Sequence, residues 1–355
     1  MTDHSALENY IEETGPAAIV LRDELAPVEG PDGVVFPSTY AAGPSFAGGY
    51  NIDGDLNGEN VCLIDSVGSQ ANRIEPIFTR PPYVELVPQI QIRAGEQIVH
   101  LLEAGHRAGD AIVRCSPLQD ELKDAFKALL KGDATPLAKL APTSLVFGVW
   151  DSRDTQAKAP RLIASTIRAY NVRKLTRSAQ YVPAANYQAD DVLGEPADKT
   201  TAEAYAAQGF VHVPASASHG GVIAKGGIRR DATLSLAALR LLHAGTDTAK
   251  TRTLRRYILG LSLTAFTSEV GGYLRQGCNL VLDASKSKPR TTQAVYPSGE
   301  RRELALAHAD ALAFAKETAL AFGVGANRQV DFDKEKAKRE ISGDEKKGKG
   351  KKGKS

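Results

Sequence analysis

Strand-like and helical segments alternate irregularly along this chain, and long loops separate them. Alternating or continuous apolar patterns predict strands near residues 17–25, 61–64, 83–93, 110–115, 143–153 and 278–283. Apolar residues at helical spacing predict helices near residues 6–14, 118–131, 233–243, 252–268 and 303–322. Because helices and strands do not alternate one for one, the order favours an α+β fold over a regular doubly wound sheet.

Two stretches between these segments are rich in residues that favour loops. Residues 30–58 are dense in Gly, Pro, Ser and Asn, and residues 183–199 are acidic and rich in Pro and Ala. These two loop-rich stretches predict insertions at about residues 30–58 and 183–230. Both insertions belong to a single folded domain predicted over residues 1–330. The Lys/Gly-rich end of the chain, residues 331–355, has few apolar side chains to bury and is predicted to be disordered.

The charge of the chain is unevenly distributed. The chain has 355 residues and a formal net charge of +2, but residues 331–355 contain ten Lys/Arg and six Asp/Glu. Residues 1–330 therefore carry a net charge of −2. Any nucleic-acid surface in the folded part must come from local clustering of cations, because the overall charge gives no attraction.

The cysteines, the histidines and the N-terminus restrict the location of the protein and its metal chemistry. Cys62, Cys115 and Cys278 lie far apart in apolar runs, which predicts buried, reduced thiols in a cytoplasmic protein. The acidic start lacks a secretory pattern, and the longest apolar stretches, about ten residues, predict no membrane span. No two of the seven histidines have the spacing of metal ligands on one helical face, so no metal and no cofactor are expected.

A polar stretch lies between two apolar segments at residues 62–78, "CLIDSVGSQANRIEPIF". The apolar run at 61–64 ends in Asp65, and Ser66, Ser69, Gln70, Asn72 and Arg73 follow before Ile74. Side chains that donate hydrogen bonds, together with a cation at the end of a buried strand, suit contacts to phosphate and sugar oxygens.

Three other clusters have the same design. The first is Trp150-Asp151-Ser152-Arg153 with Asp154, at the end of an apolar run. The second, residues 168–181, places four cations among Tyr, Asn, Ser and Gln, and the third is a weaker group on a Gly-rich hairpin-like segment at 219–230. Arg and Lys neutralise phosphates, amides and hydroxyls bond to sugar oxygens, and aromatic rings stack on unpaired bases. The mixture favours binding of a single nucleic-acid strand.

Each cluster also has a simpler structural explanation. Residues 70–73 suit the first turn of a helix capped by Ser66 or Ser69. The arginines of 168–177 suit a solvated helical face with ordinary ion pairs, and Trp150 suits the core. Asp65, Asp151 and Asp154 could hold Mg²⁺ for a ribonuclease, although each lies beside an Arg-bearing cluster, where ion pairing or loop capping is commoner.

Four segments together resemble a known family. They are "IDSVGSQANRIEP" (64–76), "VWDSR" (149–153), "LTRSAQY" (175–181) and "HGGVIAKGGIRRDATLSLAALR" (219–240). They are similar to the backbone-forming RAMP subunit of type I-G (formerly I-U) CRISPR effector (Cascade) complexes, over about residues 17–325. The Lys-rich tail lies outside the resemblance.

The resemblance implies a fold, partners and a function. The expected fold is an RNA-recognition-motif (ferredoxin-like) core enlarged by insertions termed fingers and thumb. Copies of such a subunit stack head to tail along one CRISPR RNA, which pairs with target DNA, and other effector subunits and a recruited nuclease-helicase complete the complex. The subunit is expected to be noncatalytic.

The RNA contacts expected from these clusters are Ser69, Gln70, Asn72, Arg73, Arg153, Arg168, Arg173, Lys174, Arg177, Tyr181, Lys225, Arg229 and Arg230. We expect most of them to converge on one groove that holds the guide backbone. Two alternative functions stay open: a metal-dependent ribonuclease of the same superfamily, and a cytosolic enzyme that binds a phosphorylated ligand at the Gly-rich segment.

Overall fold

The computed structural model describes residues 5–56, 58–269 and 271–351, and for residues 5, 6, 178–180, 214–218 and 343–351 it describes the backbone alone. The strands are β1 (Ala18–Pro27), β2 (Val34–Val35), β3 (Thr39–Tyr40), β4 (Gly49–Tyr50), β5 (Ile52–Gly54), β6 (Asn60–Asp65), β7 (Ile90–Ala94), β8 (Gln97–His100), β9 (Val149–Trp150), β10 (Lys158–Ala159), β11 (Ile163–Tyr170), β12 (Val172–Tyr181), β13 (Val213–Ala224), β14 (Ile228–Ser235), β15 (Tyr273–Arg275), β16 (Cys278–Leu282), β17 (Arg290–Val295), β18 (Arg301–Glu303) and β19 (Arg328–Asp331).

The α-helices are α1 (Ser5–Glu8), α2 (Val67–Ile74), α3 (Ala111–Arg114), α4 (Gln119–Leu130), α5 (Thr135–Leu140), α6 (Pro142–Phe147), α7 (Lys199–Gln208), α8 (Leu236–Leu239), α9 (Thr248–Thr267), α10 (His308–Phe322) and α11 (Lys334–Lys351). Short 3-10 turns occur at Glu75–Thr79, Val84–Leu86, Leu101–Glu103 and Arg107–Gly109.

The largest sheet contains a four-stranded core in the order β17–β1–β14–β11, in which every neighbouring pair is antiparallel. Taken along the chain, β1, β11, β14 and β17 are strands one to four, so the order is 4-1-3-2. Helices lie between the first and second strands and between the third and fourth, as in a ferredoxin-like βαββαβ unit. The predicted α+β fold with an RNA-recognition-motif-like core is confirmed. β6 and β5 extend the sheet beyond β11, and β16 and β15 extend it beyond the end of β1.

One face of this sheet is covered and the other is open. In β1, Ile19 and Leu21 are buried whereas Arg22 is exposed, the period of two expected for a strand with one covered face. Two apolar clusters cover the buried face. The larger packs the helices against one half of the sheet, and the smaller packs Cys62, Ile167 and neighbouring apolar residues against the other half.

Helix α9 lies at the centre of the larger cluster. Its second half is buried on every side, from Tyr257 to Phe266, which is typical of a helix enclosed by other elements. Gly260 faces α10, and a Cβ at this position would lie 2.8 Å from the Cα of Ala315. The two helices therefore pack with their backbones unusually close.

A two-stranded arm leaves the sheet where β11 ends. Asn171 has a positive φ of 49°, and the chain then continues as β12, which pairs with β13 from Val172↔Ala224 to Tyr181↔Val213. Residues 182–212, with α7, form the insertion at the end of the arm. The sequence alternative that treated residues 168–177 as a helical face is therefore wrong, because they lie on two strands.

Two predicted strands are helical instead. Residues 111–114 form α3, whose Asp110 cap accepts a hydrogen bond from the Ile112 N–H at 3.1 Å. Residues 142–147 form α6, which starts at Pro142 and ends at Gly148 with φ +82°. A short apolar run has no periodicity that separates a buried strand from a buried helix. The capping carboxylate favours the helix in α3, and the proline at the start and the glycine at the end favour it in α6.

The first part of the predicted disordered tail makes ordered contacts. β19 pairs in parallel with β7, with Asp331 beside Arg93, and the Arg114 guanidinium lies 3.2 Å from Glu340 in α11. Residues 352–355 lie outside the described part of the chain.

The cysteine prediction is confirmed, because Cys62, Cys115 and Cys278 are free and buried. Within the described ranges, no helix has the length and apolarity needed to cross a bilayer.

His308 connects the ends of α9 and α10 and is expected to make stability pH-dependent. Its Nε2 lies 2.8 Å from the Tyr83 hydroxyl and its Nδ1 lies 2.9 Å from the Thr267 hydroxyl. Burial lowers the pKa of His308, an effect that the charge of Glu269 only partly opposes. The unfolded chain takes up a proton below pH about 6.5 whereas the folded chain resists it. The free energy of unfolding should therefore fall as the pH drops through that value.

Urea unfolding at several pH values between 8 and 5 measures this effect. The difference in the free energy of unfolding between the wild type and His308→Gln should change with pH below about 6.5, the ordinary pKa of histidine. The control is His106→Gln, since His106 is exposed. Parallel pH profiles for the wild type and His308→Gln would contradict the assignment.

Candidate nucleic-acid interface

The polar stretch 65–73 is a strand end followed by a capped helix. β6 ends at Asp65, and the Ser66 hydroxyl accepts a hydrogen bond from the Ser69 N–H at 3.2 Å to start α2. The structural explanation from the sequence, a helix capped by Ser66, is therefore confirmed. It is compatible with binding, because α2 exposes Asn72 and Arg73 while burying Gln70.

Asp65 is the centre of this region. The carboxylate is fully buried, and its Oδ2 accepts hydrogen bonds from Gln70 Nε2 at 2.7 Å and Arg73 Nε at 3.1 Å. Its Oδ1 accepts from Arg275 Nη2 at 2.8 Å. Two guanidinium groups thus surround one carboxylate, and their side chains keep 32% and 23% of their surface exposed. The local charge at the surface is positive.

A chain of buried polar side chains continues from Asp65 across the covered face of the sheet. Ser165 donates to Gln70 Oε1 at 2.9 Å and accepts from Arg230 Nε at 3.0 Å. Arg230 Nη1 lies 3.4 Å from Asp23 Oδ2, and Asp23 also accepts from Arg290 at 2.6 and 3.0 Å. Burying these groups is tolerated because most of their polar atoms satisfy one another, although Arg230 Nη2 has no hydrogen-bond partner within the described part of the chain.

This network corrects two of the predicted RNA contacts. Gln70 and Arg230 are both buried, and their polar atoms bond to Asp65, Ser165 and Asp23. Their side chains cannot reach a ligand on the surface in this conformation. Their role is to hold α2, β11, β14 and β1 in register.

Arg275, a residue that the sequence analysis missed, shares Asp65 with Arg73 and contacts Phe36, the residue over which Arg177 lies. Arg275 Nη1 donates to the Ile64 carbonyl at 3.0 Å and to the Phe36 carbonyl at 3.5 Å. The Arg177 guanidinium lies over the Phe36 ring, 5.6 Å from its centroid. We call Arg73, Arg177 and Arg275 the arginine corner. It joins the end of β6, the base of the arm and β15.

The base of the arm is held in place beside this corner. The Tyr50 hydroxyl accepts a hydrogen bond from the Gly221 N–H at 3.0 Å, and its ring packs edge-on against His219 at 4.8 Å. A Cβ at Gly49 would lie 2.2 Å from His219 Nε2, so glycine is needed for this close approach. Residues from both predicted insertions therefore meet near Arg177.

The other predicted contacts are spread over several parts of the molecule away from the corner. The Asn72 side-chain oxygen accepts a hydrogen bond from Arg107 Nη2 at 3.4 Å. Arg107 and Arg153 both line a basic cavity beside it. Arg168 and Arg229 lie on the open face of the sheet. The remaining predicted residues are on α2, on the arm and at the β13–β14 turn; they are Ser69, Arg173, Lys174, Tyr181 and Lys225.

The open face carries its own arginine group. Arg168 and Arg229 are directly paired between β11 and β14, and Arg229 donates to the Tyr170 hydroxyl at 2.7 Å and to Asp231 at 2.8 Å. Residues 163, 165, 167 and 169 of β11 point to the covered face, so Arg168 points away from α2. The prediction that Arg168 extends the groove of Arg73 is therefore corrected, because the sheet separates the two side chains.

The three aspartates considered as metal ligands have other partners. Asp65 is bonded as described, and Asp151 accepts from the Thr155 N–H at 2.8 Å and its hydroxyl at 2.6 Å. Burial would raise the pKa of Asp151, but these hydrogen bonds outweigh it and lower the pKa. Asp154 lies beside Gln119 and Lys123. The described residues contain no group of three or more His, Cys, Asp or Glu side chains positioned to hold a metal ion.

Comparison with known protein families finds a match to part of the chain. Residues 19–174 are similar to the family described as CRISPR-associated protein GSU0053, a match that covers a little less than half of the chain. No curated protein matches the sequence. The matched part runs from β1 into β12, so it includes Asp65, α2 and Arg73 but stops before Arg177. The match supports a CRISPR-associated protein.

Proposed function

We propose that this protein is a noncatalytic subunit that binds the backbone of a CRISPR RNA and polymerises head to tail along it. It would belong to a type I-G effector complex in the cytoplasm, where the guide pairs with target DNA and other subunits and a nuclease-helicase are recruited. The observation that supports RNA binding best is the arginine corner. It places two arginines from distant segments on one buried carboxylate, and a third arginine over the Phe36 ring, whose backbone carbonyl accepts a hydrogen bond from one of the two.

The chemistry of the corner suits a sugar–phosphate backbone. Guanidinium groups bond to phosphate oxygens with a fork of parallel N–H donors, and phosphate contacts carry no sequence information. A guide-binding subunit must accept any guide sequence, because base pairing does the reading. The buried bonds from Asp65 hold Arg73 and Arg275 in place before any ligand arrives, which reduces the entropy lost on binding.

The arm supplies the element for self-assembly. β12 and β13 extend from the sheet, and the insertion at their end carries Asp190, Asp191, Glu195 and Asp198. The insertion at the end of the arm is acidic, whereas the arginine corner is basic, and this opposite charge favours a head-to-tail contact between copies. Such a contact does not close on itself, so the length of the filament would follow the length of the RNA.

Arg73→Ala and Arg177→Ala are each expected to weaken binding of guide RNA by a similar factor for all guide sequences. Each should reduce the slope of log affinity against log salt by about one unit, since each removes about one phosphate contact. Fluorescence anisotropy with labelled RNAs of unrelated sequence, at several salt concentrations, measures both quantities.

The matched control is Arg301→Ala, because Arg301 is exposed on the β17–β18 hairpin. Circular dichroism checks that Arg73→Ala remains folded despite losing its bond to Asp65. A change in sequence preference, or slopes equal to that of the control, would refute backbone binding at the corner. In the same samples, cleavage of the RNA in Mg²⁺ would refute the noncatalytic role, and a stoichiometry independent of RNA length would refute polymerisation.

A further inference from the structure

A second basic surface lies on the other side of Asn72 from the arginine corner. It is a cavity of about 840 Å³ formed by the turn before α3, the β9–β10 hairpin and the segment that leads into β11. Six of its lining side chains are arginine, lysine or histidine: His106, Arg107, Arg114, Arg153, Lys158 and Arg161. Among the described residues, no aspartate or glutamate lines it. A concave surface with this composition favours an anion.

Arg161 is held inside this surface by the backbone. The Arg161 side chain packs directly on the backbone of Gly148, where a Cβ would lie 2.6 Å from Arg161 Cγ. The φ of Gly148 is +82°. Burial, followed by the charge of Arg107, lowers the pKa of Arg161. Two guanidinium groups thus repel each other in a partly desolvated cavity, and an anion between them would relieve that repulsion.

The charge of Arg107 is only partly neutralised by its partner. Its Nε donates to Glu75 Oε2 at 2.6 Å beneath the cavity. Burial raises the pKa of Glu75 to about 7, although Arg107 opposes the shift. Two guanidinium groups, Arg107 and Arg161, line the cavity above this one buried carboxylate, which leaves net positive charge available to a ligand.

Trp150 gives the cavity an aromatic wall. It lines the same cavity and is 53% exposed. Leaving a large apolar ring in water adds nothing to the stability of the fold. Lys158 Nζ lies 4.4 Å from its ring centroid. Exposed aromatic rings beside cations are the usual platform for an unpaired base.

We propose that this cavity binds one nucleotide of single-stranded RNA, with its phosphate between Arg161 and Arg107 and its base against the indole of Trp150. The site is separate from the arginine corner and can be tested with a mononucleotide. Its test is therefore independent of guide binding and of self-assembly.

The chain contains a single tryptophan, so intrinsic fluorescence reports directly on this cavity. Titrating the full-length protein with AMP, excited at the red edge of the indole band, should quench Trp150 in a saturable way. Inorganic phosphate should compete with AMP but bind more weakly, because it lacks a base. Arg161→Gln should raise the dissociation constant for AMP about tenfold, the loss expected for one charge-assisted hydrogen bond. Lys158→Gln provides a second, exposed substitution should Arg161→Gln fail to fold.

Arg301→Ala is the control variant, because Arg301 is exposed on the β17–β18 hairpin and lines neither site, and its quenching by AMP should equal that of the wild type. Three results would overturn the proposal: no quenching by AMP, equal affinity for AMP and inorganic phosphate, or unchanged AMP affinity in both cavity variants. A synthetic acidic peptide of residues 186–199 tests a protein ligand. If the peptide quenches Trp150 and AMP does not, the cavity is a contact for the arm of another copy and the proposal fails.

Discussion

Asp23→Ala is expected to lower the free energy of unfolding by about 3–5 kcal/mol, the largest stability effect of any single change considered for this protein. Asp23 is buried, and it is the partner of both Arg230 and Arg290. Arg290 can turn to solvent when the carboxylate is removed, but the Arg230 side chain is only 4% exposed. The substitution therefore leaves a buried guanidinium without its counter-charge. Urea unfolding monitored by circular dichroism measures the loss.

A matched pair of variants separates the lost ion pair from other effects. Glu24→Ala removes the next carboxylate on β1, which lies on the open face, and should change stability by less than about 0.5 kcal/mol. The double variant Asp23→Leu/Arg230→Met replaces both buried charges by apolar groups of similar size and should recover most of the loss. If Asp23→Ala costs no more than Glu24→Ala, the buried network does not stabilise the sheet as described.

Gly260→Leu is expected to lower the free energy of unfolding by about 3 kcal/mol, because overpacking forces helices apart. A Cβ at this position would lie 2.6 Å from Thr318 Oγ1 and 2.8 Å from the Cα of Ala315. A side-chain oxygen can rotate away but the backbone of α10 cannot, so the helices must separate. Separation exposes part of the larger apolar cluster, which α9 and α10 share.

The control for this substitution is Ala249→Leu, on the exposed first turn of the same helix. It should change stability by less than about 0.5 kcal/mol, and leucine has a good helix propensity. Thermal unfolding of the two variants gives the comparison directly. Equal midpoints would mean that α9 and α10 do not pack as closely at Gly260 as the structure has them.

Much of the candidate interface could be predicted from the sequence because its signals are local. An apolar run ending in Asp65, followed by Ser66 and a polar turn, depends on residues within one or two turns of each other. The same is true of Arg153 beside Trp150. A wider window around these two would have found Lys158 and Arg161, which lie within eight positions of Arg153.

The partners of Gln70 and Arg230 could not be predicted. Gln70 meets Ser165 across 95 positions of sequence, and Arg230 meets Asp23 across 207. An amide or a guanidinium in a polar stretch has the same local pattern whether it faces water or a buried partner. Arg275 was missed for the same reason, since its partner Asp65 lies 210 positions away.

The sequence by itself determined the α+β class, the buried thiols, the helix that starts at Ser66 and the positions of the cationic clusters, because each depends on composition or on neighbours a few residues apart. Only the tertiary structure decided which cations reach the surface together. The pairing of β11 with β6 and β14 places Arg168 on the open face and Ser165 on the covered one. The fold of the arm places Arg177 over Phe36, and Phe36 in turn contacts Arg275, which shares Asp65 with Arg73. Such convergence depends on contacts across the whole sheet, which no local pattern contains.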